Sequence, residues 1–89
     1  MRRFKTTTQF ERDFKRVLKR GKDRRKMVSV MGNLIKGKPL RPKYGEHSLH
    51  GAFQGRRECH IEPDWLLIYK LSSEVIIFER TGTHADLFG

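Results

Sequence analysis

The sequence predicts a single α+β domain over residues 1–89: an N-terminal strand, a helical hairpin, then antiparallel strands forming a small twisted sheet with the helices on one face. Three observations carry that prediction. Two apolar stripes at helical spacing occupy residues 10–35. A continuous β-forming run, Trp65-Leu66-Leu67-Ile68-Tyr69-Lys70-Leu71, follows in the second half, with Val75-Ile76-Ile77-Phe78 one turn away. The 89-residue chain is too short for two hydrophobic cores, so helices and strands must share one.

The elements follow in order. Phe4 to Thr6 reads as a short strand. Thr8-Gln9-Phe10-Glu11 reads as a capping box, with Thr8 as the N-cap and Glu11 three residues on. Phe10, Phe14, Val17 and Leu18 then form one helical stripe, and Gly21 ends it. Asp23 is the expected cap of the next helix, whose stripe is Met27, Val30, Met31, Leu34 and Ile35 and whose stop is Gly37 with Pro39. Residues 38–55 carry two prolines and three glycines without a sustained period and read as loop. Arg57 to Ile61 reads as a strand, and Pro63-Asp64 turns the chain into the Trp65 run, a central strand buried on both faces. Ser72-Ser73-Glu74 is a turn. Thr81 to Gly89 reads as an irregular, mobile tail.

Composition excludes several classes of protein. No stretch approaches the roughly 20 apolar residues of a membrane span. The N-terminal Met1-Arg2-Arg3-Phe4-Lys5 has no apolar run behind its charges and is not a secretory signal. Cys59 is the one cysteine, so an internal disulfide and a multi-cysteine zinc module are both out, and a reducing cytoplasm is the expected location. The formal net charge is +10, which points to a polyanionic partner. Its distribution is uneven: residues 1–45 hold sixteen basic and three acidic side chains, residues 46–89 four basic and seven acidic. Lys19 to Lys26 places six cations in eight residues at the helix–helix turn, Arg24, Arg25 and Lys26 among them. Lys36, Lys38, Arg41 and Lys43 continue the run. The chemistry is that of phosphate contacts, which give affinity without base choice. No aromatics are interleaved in the block, unlike a single-strand stacking platform.

All four histidines, His47, His50, His60 and His84, fall in the second half. A metal site built from them with Asp64 or Glu62 lacks the fixed helical spacing of metalloproteases, and the neighbours Cys59 and His60 on one strand face opposite ways. Taken singly, each histidine reads as an ordinary hydrogen-bonded or surface residue. Taken together, three lie in loop or tail segments where burial is no explanation. The set suits metal-free RNA cleavage: a base takes the proton of a ribose 2′-OH, that oxygen attacks the adjacent phosphorus, and an acid protonates the departing 5′ oxygen. Histidine serves both proton roles, with an ordinary pKa of about 6.5. A carboxylate acts as base or orients an imidazole. The chain offers the four histidines, Glu58 and Asp64, with Arg56 and Arg57 as cations. Regular alternation puts Glu58, His60 and Glu62 on one strand face, opposite Arg57, Cys59 and Ile61.

Three runs carry a resemblance. His47-x-Leu49-x-Gly51, the strand and turn from Arg57 through His60-Ile61-Glu62-Pro63-Asp64-Trp65 to Lys70, and the tail Phe78-Glu79-Arg80-Thr81-Gly82-Thr83-His84-Ala85-Asp86-Leu87-Phe88-Gly89 resemble the YafQ branch of the RelE/ParE toxin superfamily. The resemblance covers the whole chain. It implies a RelE-like fold and the toxin of a toxin–antitoxin pair, an endoribonuclease that cuts mRNA in the ribosomal A site, against ribosomal RNA, without a metal or other cofactor. It also implies neutralisation by a cognate antitoxin protein and no membrane association. Carried over by position, the catalytic histidines fall on His47, His60 and His84, with carboxylates on Glu58 and Asp64 and the terminal aromatic on Phe88. Three positions depart from the branch: Glu58 replaces the usual Asp, His50 a non-histidine polar residue, and Arg56 an aromatic. Two other readings remain open on the sequence: a ParE-like gyrase inhibitor of the same fold, and a non-catalytic RNA- or ribosome-binding module. The histidine set discriminates, because neither alternative needs proton donors.

Overall fold

The computed structural model describes residues 1–89. Strand β1 (Arg3–Thr6) leads into helix α1 (Thr8–Lys19) and helix α2 (Arg24–Ile35). A 3-10 turn (Pro42–Tyr44), the two-residue strand β2 (His47–Ser48) and a second 3-10 turn (Gly51–Phe53) fill the segment read as loop. Strands β3 (Arg57–Glu62), β4 (Trp65–Leu71) and β5 (Val75–Gly82) follow, and the short helix α3 (His84–Phe88) ends the chain.

The five strands form one sheet in the order β1-β5-β4-β3-β2. Strand β1 runs parallel to β5, with Phe4 opposite Ile76; the other neighbours are antiparallel. The sequence prediction does not contain the parallel pair. The helical hairpin between β1 and the later strands is the crossover that parallel pairing needs.

Alternation along β4 explains its unbroken apolar run. Trp65, Leu67 and Tyr69 join Phe10, Val17, Met27, Val30 and Leu34 of the hairpin in the main core. Leu66 and Ile68 point the other way, into a smaller cluster with Leu87 of α3, Leu49 and Phe53. Both faces of the central strand are therefore covered. Cys59 and Ile61 of β3 belong to the hairpin side, so His60 between them faces the α3 side.

The caps differ in part from the sequence reading. Asp23 caps α2, accepting from the Arg25 backbone N–H. The cap of α1 is Thr7, not Thr8: its hydroxyl accepts from the Phe10 N–H, and Glu11 accepts from the Thr6 hydroxyl at 2.9 Å. The tail is not irregular. Thr83 accepts from the Asp86 N–H and Asp86 from the Thr83 N–H, a complete capping box that starts α3 at His84.

Candidate active site

The site lies where β2, β3, the turn after β3 and the start of α3 meet, on the sheet face opposite the hairpin. Pairing of β2 with β3 sets His47 directly across from Glu58. Two residues along β3, His60 shares that face. The turn at Asp64 then returns the chain beneath the N-terminus of α3.

Three imidazoles stand in a row. The His47 and His60 ring centroids are 6.1 Å apart, and those of His60 and His84 5.8 Å. Glu58 sits below the first two and is only 4% exposed. Its Oε1 lies 3.4 Å from Nε2 of His47 and 3.4 Å from Nε2 of His60. Its Oε2 is buried without a hydrogen-bond partner. A buried acceptor left open is costly, and a catalytic role is one of the reasons a fold retains one. His47 Nδ1 is 2.8 Å from the Gly45 carbonyl, so that nitrogen carries the proton.

Asp64 holds the other end of the row. Its Oδ1 accepts from the His84 backbone N–H at 2.8 Å and from His84 Nδ1 at 2.6 Å. These two bonds keep its carboxyl below the ordinary carboxylate range, the backbone bond first. The Nδ1 proton is thereby fixed, and His84 Nε2 makes no hydrogen bond within the protein. The anchor of α3 is Asp86, which caps the helix and receives both arms of Arg20, at 2.6 and 3.2 Å. Those Arg20 bonds, with the Thr83 bonds, hold the Asp86 carboxyl far below its ordinary value. Gly82 permits the arrangement, because a Cβ there would meet Asp86 Oδ2 at 2.9 Å. Gly45 does the same for His60: its φ is +55°, and a Cβ would meet His60 Nδ1 at 3.0 Å.

The structure thus gathers His47, Glu58, His60, Asp64 and His84 at one place. Phe88 is 48% exposed at the end of α3, edge-on to Phe53 at 5.5 Å between centroids. His50 lies exposed before the second 3-10 turn and makes no ion pair or ring contact with the row. Glu62 does not share the His60 face. A bulge between His60 and Glu62 breaks the alternation and turns Glu62 to the hairpin, where Lys22 and Lys26 bind it at 2.7 and 2.8 Å.

The predicted RNA-contacting cations divide. Arg24 lies over the Phe14 ring, Arg25 pairs with Asp23 and Lys26 with Glu62, all on the hairpin. Arg56 binds Glu79 at 2.8 Å. Arg57 points to the hairpin side of the sheet, reaching Ser48 Oγ at 2.9 Å and Glu46 at 3.4 Å. Glu46 also accepts from the buried Tyr69 phenol. Sequence reasoning misses Gly45, which packs against His60, and Glu46, which binds Arg57 and Tyr69, although a glycine two residues before His47 is a signal of a special backbone position. Cys59 is buried, which, with the charges of Glu46 and Glu58, pushes its thiol up to about 12; it is a packing residue and not a nucleophile. No three His, Cys, Asp or Glu side chains gather as metal ligands.

Residues 2–89 match the family described as the bacterial toxin of type II toxin–antitoxin system, YafQ. Over 82 residues the chain is 49% identical to the mRNA interferase toxin YafQ of Escherichia coli K12, an alignment covering 91% of this chain and 89% of that one. The crystal structure of YafQ from E. coli BL21(DE3) superposes with a TM-score of 0.95 at 44% identity, covering 100% of both chains. The E. coli DinJ-YafQ complex gives a TM-score of 0.93 at 46% identity, again over 100% of both chains.

Proposed function

This chain belongs to the YafQ family of type II toxins, and on that premise we propose that it is a ribosome-dependent, metal-independent endoribonuclease cleaving mRNA by 2′-OH attack. One observation supports the reading above the others: three imidazoles stand in a row, with one carboxylate shared by the first two and a separate one on the third. Acid–base cleavage of RNA needs two proton-transfer groups at opposite sides of one phosphate, and a row of this length provides them.

The two ends take different roles. The cluster of Glu58, His47 and His60 removes the 2′-OH proton. The freed oxygen attacks phosphorus, forming a bond as the bond to the 5′ oxygen breaks. His84, with Nδ1 tied to Asp64, delivers a proton from Nε2 to that 5′ oxygen. Asp64 orients the ring and stabilises it while charged. Phe88 supplies an exposed ring for a base. The products are a 2′,3′-cyclic phosphate and a 5′-hydroxyl. The basic hairpin holds ribosomal RNA through phosphate contacts. As the DinJ-YafQ complex pairs its toxin with a second protein, this chain is held by a cognate antitoxin, acidic where it meets the hairpin.

The test uses the purified protein on ribosomes programmed with a defined mRNA. Cleavage should need the ribosome, persist when the toxin has been stripped with EDTA and freed of chelator before it meets ribosomes in magnesium buffer, and stop when the nucleotide before the cut carries a 2′-O-methyl group. Cleavage after a 2′-deoxynucleotide, or loss of activity from the stripped toxin, overturns the mechanism.

A further inference from the structure

Strand β2 pairs with β3 only at Arg57 and Glu58. Beyond that point the 3-10 turn Pro42–Tyr44 stands beside β3 in place of a strand. A cleft of about 520 Å³ opens between them, lined by Lys43, Tyr44, His60, Ile61, Glu62 and Pro63. It runs into a second cleft of about 450 Å³ that shares Lys43, Tyr44 and Ile61 and continues to Arg25, Lys26 and Ser29 of α2. Each volume lies within the range of small-ligand sites, about 300–1,000 Å³, and so has room for one nucleotide. The cleft reaches His60, the middle ring of the row, and so meets the cluster assigned above to the removal of the 2′-OH proton.

We propose that this cleft is the subsite for a single-stranded ribonucleotide adjacent to the cut, with its base on the Tyr44 ring and its phosphates on Lys43 and then Arg25 and Lys26. The subsite rests on the cleavage reading for the identity of its ligand. Three features of the cleft support it. Tyr44 is half-buried, its ring packed against the main core on one side, so it is a rigid platform and not a free side chain. Lys43 Nζ lies over that ring, 5.1 Å from its centroid, on an exposed side chain, so a base that stacks on Tyr44 displaces a flexible ammonium, which then stays within reach of the nucleotide's phosphate. The two acids in the clefts are already matched: Glu62 by Lys22 and Lys26, Asp23 by Arg25. The lining set thus keeps a positive balance, as a backbone track requires. No sequence signal marks this site, because Tyr44 stands in a loop segment and the basic block around it shows no aromatic periodicity.

The experiment follows the full chain by NMR with two probes. One is a mixed-sequence 2′-O-methyl RNA hexamer, which cannot react; the other is an abasic hexamer with the same number of phosphates. The RNA should shift the Tyr44 ring protons upfield together with His60, and the abasic strand should shift Lys43 and Arg25 but not the Tyr44 ring. Tyr44→Leu should weaken RNA binding by between about fivefold and about 150-fold, the range for loss of one base–aromatic stack, with abasic binding unchanged. Tyr44→Phe, which keeps the ring, should bind RNA as the parent does. The subsite is overturned, and the cleavage reading left standing, if RNA moves His60 without Tyr44 or if Tyr44→Phe binds as weakly as Tyr44→Leu. If RNA occupies Tyr44 but programmed ribosomes are not cut, the subsite stands and the cleavage reading fails.

Discussion

His84→Gln separates catalysis from stability, and the structure sets both magnitudes. The side chain is 55% exposed and packs no core. The cap of α3 is made by Thr83 and Asp86, and the bond from the residue-84 N–H to Asp64 belongs to the backbone. Glutamine at position 84 keeps all of these. A surface change of this kind costs within about 0.5 kcal/mol, which for a domain of this size moves Tm by no more than about 4 °C. What is lost is Nε2, the one ring atom of His84 with no partner in the protein. Glutamine has no exchangeable acid near neutral pH. Removing a general acid costs about 10²–10⁴ in rate, equivalent to about 2.7–5.5 kcal/mol of barrier. Single-turnover cleavage on programmed ribosomes should therefore fall at least about 10²-fold, with ribosome affinity and Tm unchanged and growth arrest relieved. His50→Gln, outside the row, should cost less than about tenfold. Cleavage by His84→Gln at nearly the parent rate, or a larger loss from the His50 change, refutes the assignment.

Replacing Arg24, Arg25 and Lys26 together by Gln should weaken ribosome association and reduce the log–log salt slope by roughly 0.7–0.9 for each phosphate no longer neutralised; equal binding at two salt concentrations removes this block from the interface. Asp13 is 1% exposed and accepts from Arg80 Nε at 2.7 Å and the Thr81 N–H at 3.2 Å, so Asp13→Ala strands a half-buried guanidinium and should cost about 3 kcal/mol, about 12–24 °C in Tm. A loss below about 1 kcal/mol in urea titration would show that Arg80 finds another partner. Glu62 is held below its ordinary range by the bonds from Lys22 and Lys26, and Asp86 by those from Arg20 and Thr83. Burial alone would raise Asp13, but hydrogen bonds from Arg80, Gln9 and Thr81 outweigh it and lower that carboxyl too. Depressed carboxylates stabilise fully above their unfolded values of about 4 and lose that contribution as pH falls through the lower folded values, so the urea midpoint should fall below about pH 4; a rise on acidification contradicts this. Expression without an antitoxin should arrest growth, and normal growth with abundant folded protein counts against the toxin reading.

The hairpin, the central strand and most element limits are legible because they depend on local period. Met27, Val30 and Leu34 repeat at helical spacing and are all buried, and the Trp65–Leu71 run is β4 residue for residue. Pairings across long separations are not legible: nothing in Arg3–Thr6 specifies a parallel partner at Val75–Phe78. The shape of the tail is written in the sequence but masked by Gly82. Thr83-His84-Ala85-Asp86 is a capping box before Leu87 and Phe88, and the glycine in front of it suggests mobility instead. The reading of His84 as a mobile residue changes accordingly: Asp64 and α3 hold the ring before substrate arrives. For the candidate site, sequence places the side-chain types, whereas the bulge after His60 decides which carboxylate shares the histidine face. Ion pairing decides which cations are committed elsewhere, Arg57 to Glu46 and Arg56 to Glu79. Neither can be seen without tertiary contacts.

Strand β5 follows every other strand in the chain yet sits between β1 and β4 in the sheet. Synthesis is vectorial, and this topology makes the last strand the keystone. Until residues 75–82 leave the ribosome, β1 has no neighbour and α1 lacks the strand on which it packs. Contacts between such distant segments form late and slowly. His84 and Phe88 lie later still, on a helix that docks against β5. A half-made chain therefore has neither a closed sheet nor the third imidazole of the row, and the site is completed only by the last residues to be joined.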